Sequence, residues 1–268
     1  MNKQDLVFKL RRNKLVRSLY LPVAVTKRFI QSVRFPLSED GRYMASIKDS
    51  HKGERCFIIG NGPSLTAEDL SRLKNEFCFA TNRIYYMFDK TEWRPSMYVS
   101  FDLDVIAKEV EMVKNVDCDT RLFNINAKKY FPKNDSRNHY FFLKGKFKID
   151  RNGTGQTTVN EDLSKFMTLT DNVTGVCLQL AYYMGFSEIY LVGVDHSYGS
   201  AGGNGNSQNY FAGMKGSIPP SFNLEATNKS YQTLCDYAKG KGIKVFNATR
   251  GGKLEIFERA DFDSVVGG

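Results

Sequence analysis

Three short stretches of the sequence carry side chains that could do chemistry. Val194-Asp195-His196-Ser197-Tyr198 sets an acid, an imidazole and a phenol almost side by side. A histidine with an ordinary pKa of about 6.5 suits general-base work at neutral pH, and Asp195 is a second candidate base. A packed, hydrogen-bonded histidine is the plainer reading of the same residue. Asp102-Leu103-Asp104 places two carboxylates at i and i+2. That spacing could hold a hard divalent cation bridging phosphates, or it could cap a helix, since Asp is favoured at the N-cap and in the first turn. Gly60-Asn61-Gly62-Pro63-Ser64 ends an apolar run, Cys56 to Ile59, and precedes a helix start with Thr66 as N-cap and Asp69 three residues on. Glycines let a backbone approach a phosphate, and N–H groups at a helix start point at negative charge. An ordinary tight turn would read the same way.

Elements that could position these residues alternate along the chain. Short apolar strands are expected at 56–59, 77–81, 97–101, 121–126, 139–143, 188–193 and 244–247. Between them, helices are expected after Thr66, after Asp104 to about Asn115, and over 224–239. One more opens at Asn172, with Val173, Val176, Leu180 and Met184 on one face, and closes at Gly185. The alternation predicts a Rossmann-like three-layer α/β/α domain with a mainly parallel sheet over 55–268. Such sheets bind ligands beyond the carboxyl ends of their strands, where His196 and its neighbours follow one strand and Gly60 to Ser64 another. Asn82 follows the second strand at the place where an NAD-binding unit carries an acid, and Leu65 stands where its third glycine would be; NAD is disfavoured. The Gly/Ser/Asn-rich stretch at about 199–222, with Tyr210 in it, is long enough for a lid.

Of the 38 basic residues that give the net charge of +9, nine lie in residues 1–34 beside a single acid, Asp5. The remainder is nearly balanced, so the basic character belongs to an N-terminal helical arm and not to the domain, which argues against a nucleic-acid partner. The arm mixes Leu, Val and Phe with Lys and Arg. It reads as an interfacial segment for an anionic membrane surface, as a solvated arm, or as a contact between copies. Residues 35–54, polar and turn-rich, read as a linker. No stretch is long and apolar enough for a transmembrane helix. The five scattered cysteines include no C-x-x-C pair, which suggests buried free thiols and a reducing, cytoplasmic setting.

Four pieces in order carry a family resemblance: Gly60-Asn-Gly-Pro-Ser-Leu65, Asn82, Thr174-Gly175-Val176, and Tyr190-Leu-Val-Gly193-Val-Asp195. Over roughly residues 53–265 they resemble bacterial sialyltransferases of the lipooligosaccharide type, which use CMP-activated sialic acid. They also resemble the wider 6-hydroxymethylpterin diphosphokinase MptE-like group, which includes motility-associated flagellin glycosyltransferases. The resemblance implies a glycosyltransferase of bacterial surface-glycan synthesis, peripheral on the inner face of the cytoplasmic membrane, needing no cofactor. It implies that Gly60, Asn61, Gly62, Pro63 and Ser64 meet donor phosphate or sugar, and that Asn82 and Asp102 meet the nucleotide. Thr174, Gly175 and Gly193 would line the donor site, and Tyr198 and Tyr210 would stabilise the departing phosphate. The histidine that serves those enzymes as base, further along the chain, has no counterpart here, which leaves His196 or Asp195. The diphosphokinase side of the resemblance rests on Val99-Ser-Phe-Asp-Leu-Asp104 and would put Mg²⁺ and ATP on Asp102 and Asp104. A non-catalytic nucleotide-binding subunit of a polysaccharide machine is the third reading.

Overall fold

The computed structural model describes residues 25–26, 28–132, 135–145, 159–197, 211 and 223–267. In chain order its strands are β1 (Arg55–Ile59), β2 (Cys78–Thr81), β3 (Met97–Ser100), β4 (Thr120–Asn124), β5 (Asn138–Phe141), β6 (Leu143–Lys144), β7 (Met167–Thr168), β8 (Glu188–Val192), β9 (Lys244–Asn247) and β10 (Glu258–Arg259). Strands β6 and β7 form a small pair; the other eight make one sheet in the order β10-β9-β8-β1-β2-β3-β4-β5. Every pairing in that sheet is parallel. The central strands are buried along nearly their whole length, as a parallel sheet covered on both faces requires.

The period-2 alternation of β1 divides the core. Cys56 and Ile58 face one layer, with Met44 of α1 (Glu39–Ser46), Val176 of α5 (Val173–Met184) and Leu234 of α6 (Leu224–Gly240). Phe57 and Ile59 face the other. That layer is built from Leu70 of α2 (Ala67–Arg72), Ile106 of α3 (Leu103–Lys108), Val113 of α4 (Val110–Lys114) and Phe262 of α7 (Phe262–Val266). The Rossmann-like three-layer arrangement is therefore realised, with a sheet more uniformly parallel than expected.

Local signals explain most element ends. Asn172 caps α5, its side chain accepting from Gly175 N–H at 2.8 Å, and Gly185 closes the helix at φ +89°, a left-handed conformation that glycine adopts without a Cβ penalty. All of α5 is buried, because the helix is wedged between the sheet and α6, where Tyr182 donates to the Leu234 carbonyl. The helix expected from Asp104 to about Asn115 is broken at Glu109, whose φ of −125° separates α3 from α4.

The linker expected at 35–54 is a folded part of the domain. Phe35 is buried with its ring centroid 6.0 Å from that of Phe142. Ser38 caps α1, Tyr43 stacks flat on His139 of the edge strand β5, and buried Asp40 pairs with Lys128. The N–H groups of Asp49, His51 and Gly53 donate to the carbonyls of Tyr183, Met184 and Gly185, satisfying the end of α5 that the chain would otherwise leave open. Polar composition hid this segment: its anchoring is carried by single residues among polar ones. Phe35→Ala is expected to lower the unfolding free energy by about 3–5 kcal/mol, measured by urea denaturation; a true linker residue would change it by a few tenths.

Candidate functional site

From β1 the sheet builds outward through β5, and the chain then returns to lay β8 on the other side of β1. The carboxyl ends of β1 and β8 therefore flank the point where strand order reverses, the usual ligand crevice of an open α/β sheet. Gly60 N–H donates to the Val192 carbonyl and Gly62 N–H to the Gly193 carbonyl, each at 2.8 Å. A Cβ on Gly60 would lie 2.3 Å from the Gly193 oxygen, and one on Gly62 would lie 1.8 Å from Asp195 Oδ2. Gly193 itself sits at φ +67° with Leu65 against it. At these glycines the missing side chains let the two loops touch each other.

Ser64 locks the junction. Its hydroxyl donates to Asp195 Oδ2 at 2.8 Å and its N–H to Oδ1 at 3.3 Å. Asp195 is 8% exposed, and burial pushes its carboxyl up from the usual range against the opposing Ser64 bonds. The start of α2 is also occupied. Thr66 and Asp69 form a reciprocal capping box, so two N–H groups expected to face an anion are satisfied internally, and Arg250 holds Asp69 from outside.

Asn61 is the residue of this turn that retains unspent capacity. Its Nδ2 donates to the Thr81 carbonyl and to Thr81 Oγ1, both at 3.0 Å, tying β1 to the end of β2. Among the described residues its buried Oδ1 has no hydrogen-bond partner, a condition that costs on the order of 1–3 kcal/mol unless a donor arrives. Asn82 follows at φ +45°, where Asn is among the tolerated residues; Tyr98 OH donates to its carbonyl at 2.5 Å and Ser100 Oγ to its Oδ1 at 3.4 Å. Asp102, after β3, is the N-cap of α3, its Oδ1 accepting from the N–H groups of Asp104 and Val105; Asp104 is exposed. Among the described residues no group of three or more His, Cys, Asp or Glu is arranged to hold a metal ion.

Because α5 runs back along the sheet and turns directly into β8, its first residues, Thr174 and Gly175, lie at the same carboxyl-end edge. Thr174 is buried, and Gly175 makes room for Thr170, whose side chain a Cβ would meet at 2.9 Å. His196, at φ +53°, places Nε2 2.5 Å from Asn228 Oδ1 and its ring edge-on to Tyr231, both on α6. Burial holds the imidazole below its ordinary pKa, partly offset by the Asn228 bond. Tyr198, Tyr210 and all of the lid expected at 199–222 except Phe211 lie outside the described residues; Phe211 is buried and its N–H donates to the Asn61 carbonyl at 3.0 Å.

Several residues of the site carried no signal that was used. Thr81, Asn228 and the loop after β9 come from distant parts of the chain. Thr249 Oγ1 accepts from Val194 N–H at 3.0 Å, and Lys253 N–H donates to the Asp195 carbonyl at 2.7 Å. Gly252, at φ +77°, leaves no space for a Cβ against Asp195. The Gly251-Gly252 pair directly after a strand was the available hint. Beyond Asn82, Arg83 and Tyr85 both bind Glu109 at the α3–α4 break.

A sequence model of the 6-hydroxymethylpterin diphosphokinase MptE-like family matches residues 28–201. Among solved structures, the chain is similar to the MAf glycosyltransferase from Magnetospirillum magneticum AMB-1, with a TM-score of 0.49 and 14% identity over 84% of this chain and 38% of that one. It thus spans well under half the length of that protein. The sialyltransferase CstII from Campylobacter jejuni in complex with cytidine-5'-monophosphate gives a TM-score of 0.42 and 17% identity, over 76% of this chain and 84% of the other. The same enzyme with CMP-3FNeuAc gives 0.44 and 16%, over 77% and 86%. No protein with a curated function matches the chain significantly.

The Ser64–Asp195 lock makes a measurable claim. In a double-mutant cycle of Ser64→Ala and Asp195→Asn followed by urea denaturation, we expect a coupling of about 1–3 kcal/mol. Additive effects would mean that the two loops are held by their backbones alone.

Proposed function

The chain belongs to the 6-hydroxymethylpterin diphosphokinase MptE-like family, and from that premise we propose that it is a glycosyltransferase using a nucleotide-activated sugar, with a CMP-linked nonulosonate such as sialic acid as donor. The observation that carries the reading is the convergence of the motif-bearing loops at the β1/β8 reversal, with the buried Oδ1 of Asn61, unpartnered among the described residues, beside them. A ribose or sugar hydroxyl is the kind of donor that oxygen lacks. Asn82 and Asp102 would meet the nucleotide, Thr174 and Gly175 the sugar.

In the transfer, an acceptor hydroxyl oxygen attacks the anomeric carbon as the bond to the CMP phosphate oxygen breaks. His196 takes the acceptor proton. Its Nε2–H donates to Asn228 Oδ1, which puts the basic lone pair on Nδ1, and burial favours the neutral ring by lowering its pKa. Asp195 is better suited to holding Ser64 than to taking a proton, since both its oxygens are engaged. Tyr198 and Tyr210 are proposed, by resemblance alone, to meet the charge left on the phosphate.

The family's name favours a second reading, a diphosphokinase with Asp102 and Asp104 serving Mg²⁺ and ATP. One oxygen of Asp102 is committed to the helix cap, which leaves a thin donor set, and no step is derived through a metal.

Isothermal titration separates the readings. CMP binding without metal is expected. ATP binding that requires Mg²⁺ and fails in Asp104→Asn would replace the transferase with the kinase, and binding of neither would leave a non-catalytic subunit. For the base, His196→Ala should lower kcat by about 10²–10⁴-fold while donor affinity holds. The acid limb of kcat/KM should lie below pH 6.5. Asn228→Leu removes a contact that raises the pKa, so it should move that limb to still lower pH; an unmoved limb rules out His196 as the titrating base.

A further inference from the structure

Residues 28–34 are helical and run into the turn at Phe35–Leu37. This helix faces the protein with its polar side. Arg28 Nη2 donates to the Leu143 carbonyl at 3.0 Å, Gln31 and Ser32 are half-buried, and buried Phe35 pins the end. Its apolar side looks outward. Val25, Phe29, Ile30, Val33 and Leu37 are 46–78% exposed, and they are five of the eight large hydrophobic side chains exposed among the described residues. At about 100° per residue, Val25, Phe29, Val33 and Ile30 lie in one arc that also holds Thr26, with Arg34 bordering it on one side and Ser32 and then Arg28 on the other. A surface helix ordinarily turns its apolar stripe toward the core, so this one is inverted and presents a contiguous patch for something outside the domain.

The charge decides what that is. Residues 1–34 carry nine basic residues and one acid. A second copy on the patch would bring nine more like charges against these, and residues 1–24 folding back would bring six. An anionic lipid surface both buries the stripe and neutralises the arginines along its borders, which is the geometry of an interfacial amphipathic helix. No described helix is long and apolar enough to cross a membrane. We propose that the helix at 28–34, with Val25 and Leu37 at its ends, is the membrane-docking face of this protein and seats the domain on an anionic bilayer. The inference rests on the helix and its charge, independently of the chemistry assigned to the site.

Flotation of the full chain with phosphatidylcholine vesicles, with and without phosphatidylglycerol, tests it. The chain should bind the anionic vesicles on the order of tenfold or more tightly than the zwitterionic ones, less so as salt rises. Phe29→Glu with Val33→Glu should abolish flotation, and Arg34→Glu should weaken it, with the thermal melting midpoint and CMP titration unchanged because these side chains are exposed. Equal binding to both vesicle types, or variants that float like the wild type, would overturn the proposal. So would a wild-type dimer that Phe29→Glu turns into a monomer, since the patch would then belong to a second copy.

Discussion

The structure depends on one close approach, the contact between the loop after β1 and the loop after β8. Two glycines without side chains, Gly60 and Gly62, bring the backbone of one loop against Gly193 and Asp195 of the other. Ser64 then places its hydroxyl on the Asp195 carboxylate. Everything proposed for the site follows from that contact. It turns Asn61 toward Thr81, leaves the Asn61 carbonyl oxygen to receive Phe211, and sets His196 one residue beyond a rigidly held acid. The loop after β9 backs the same point through Thr249, Gly252 and Lys253. A buried carboxylate is costly unless fully hydrogen-bonded, and here its partners come from a different part of the chain, so the cost is offset only in the assembled fold.

That division of labour separates the two adjacent candidate bases. Asp195 is engaged through both oxygens and buried. His196 is hydrogen-bonded and packed by α6 while burial lowers its pKa, and it has an unusual backbone conformation of the kind that concentrates at functional positions. Asn82, across the crevice, also has a positive φ, one that asparagine tolerates.

Much of this fold was legible in the sequence wherever the determinant is local. The Asn172 cap, the Gly185 stop, the Thr66–Asp69 capping box and the apolar strands before Gly60 and Gly193 are short-range signals, and the structure carries each of them. Reading failed where the determinant is a distant partner. The segment at 35–54 looks polar because its few anchors, Phe35 and Met44, are spaced among polar residues, of which Asp40 pairs with Lys128 and Tyr43 stacks on His139. The glycines of the first motif stand where the neighbouring loop comes so close that a Cβ would collide with it, a constraint set by a distant partner. No spacing rule links Asn228 to His196 or Gly252 to Asp195, since those contacts exist only once three strands lie side by side.

The parallel topology has a temporal consequence. The hydrogen bond between Ser64 and Asp195 joins residues 131 positions apart, and β8 enters the sheet beside β1 only after β1 to β5 have been laid down. While the chain is being synthesised, the Gly60–Ser64 turn emerges long before Asp195, the partner that holds Ser64 in the folded structure. Non-local pairing of this kind is slow because chain entropy is lost before any contact rewards it. The contact between the two loops therefore forms late. A nascent chain that has passed the ribosome only as far as α5 holds β1 to β5 but still lacks β8 and the Asp195 that Ser64 binds.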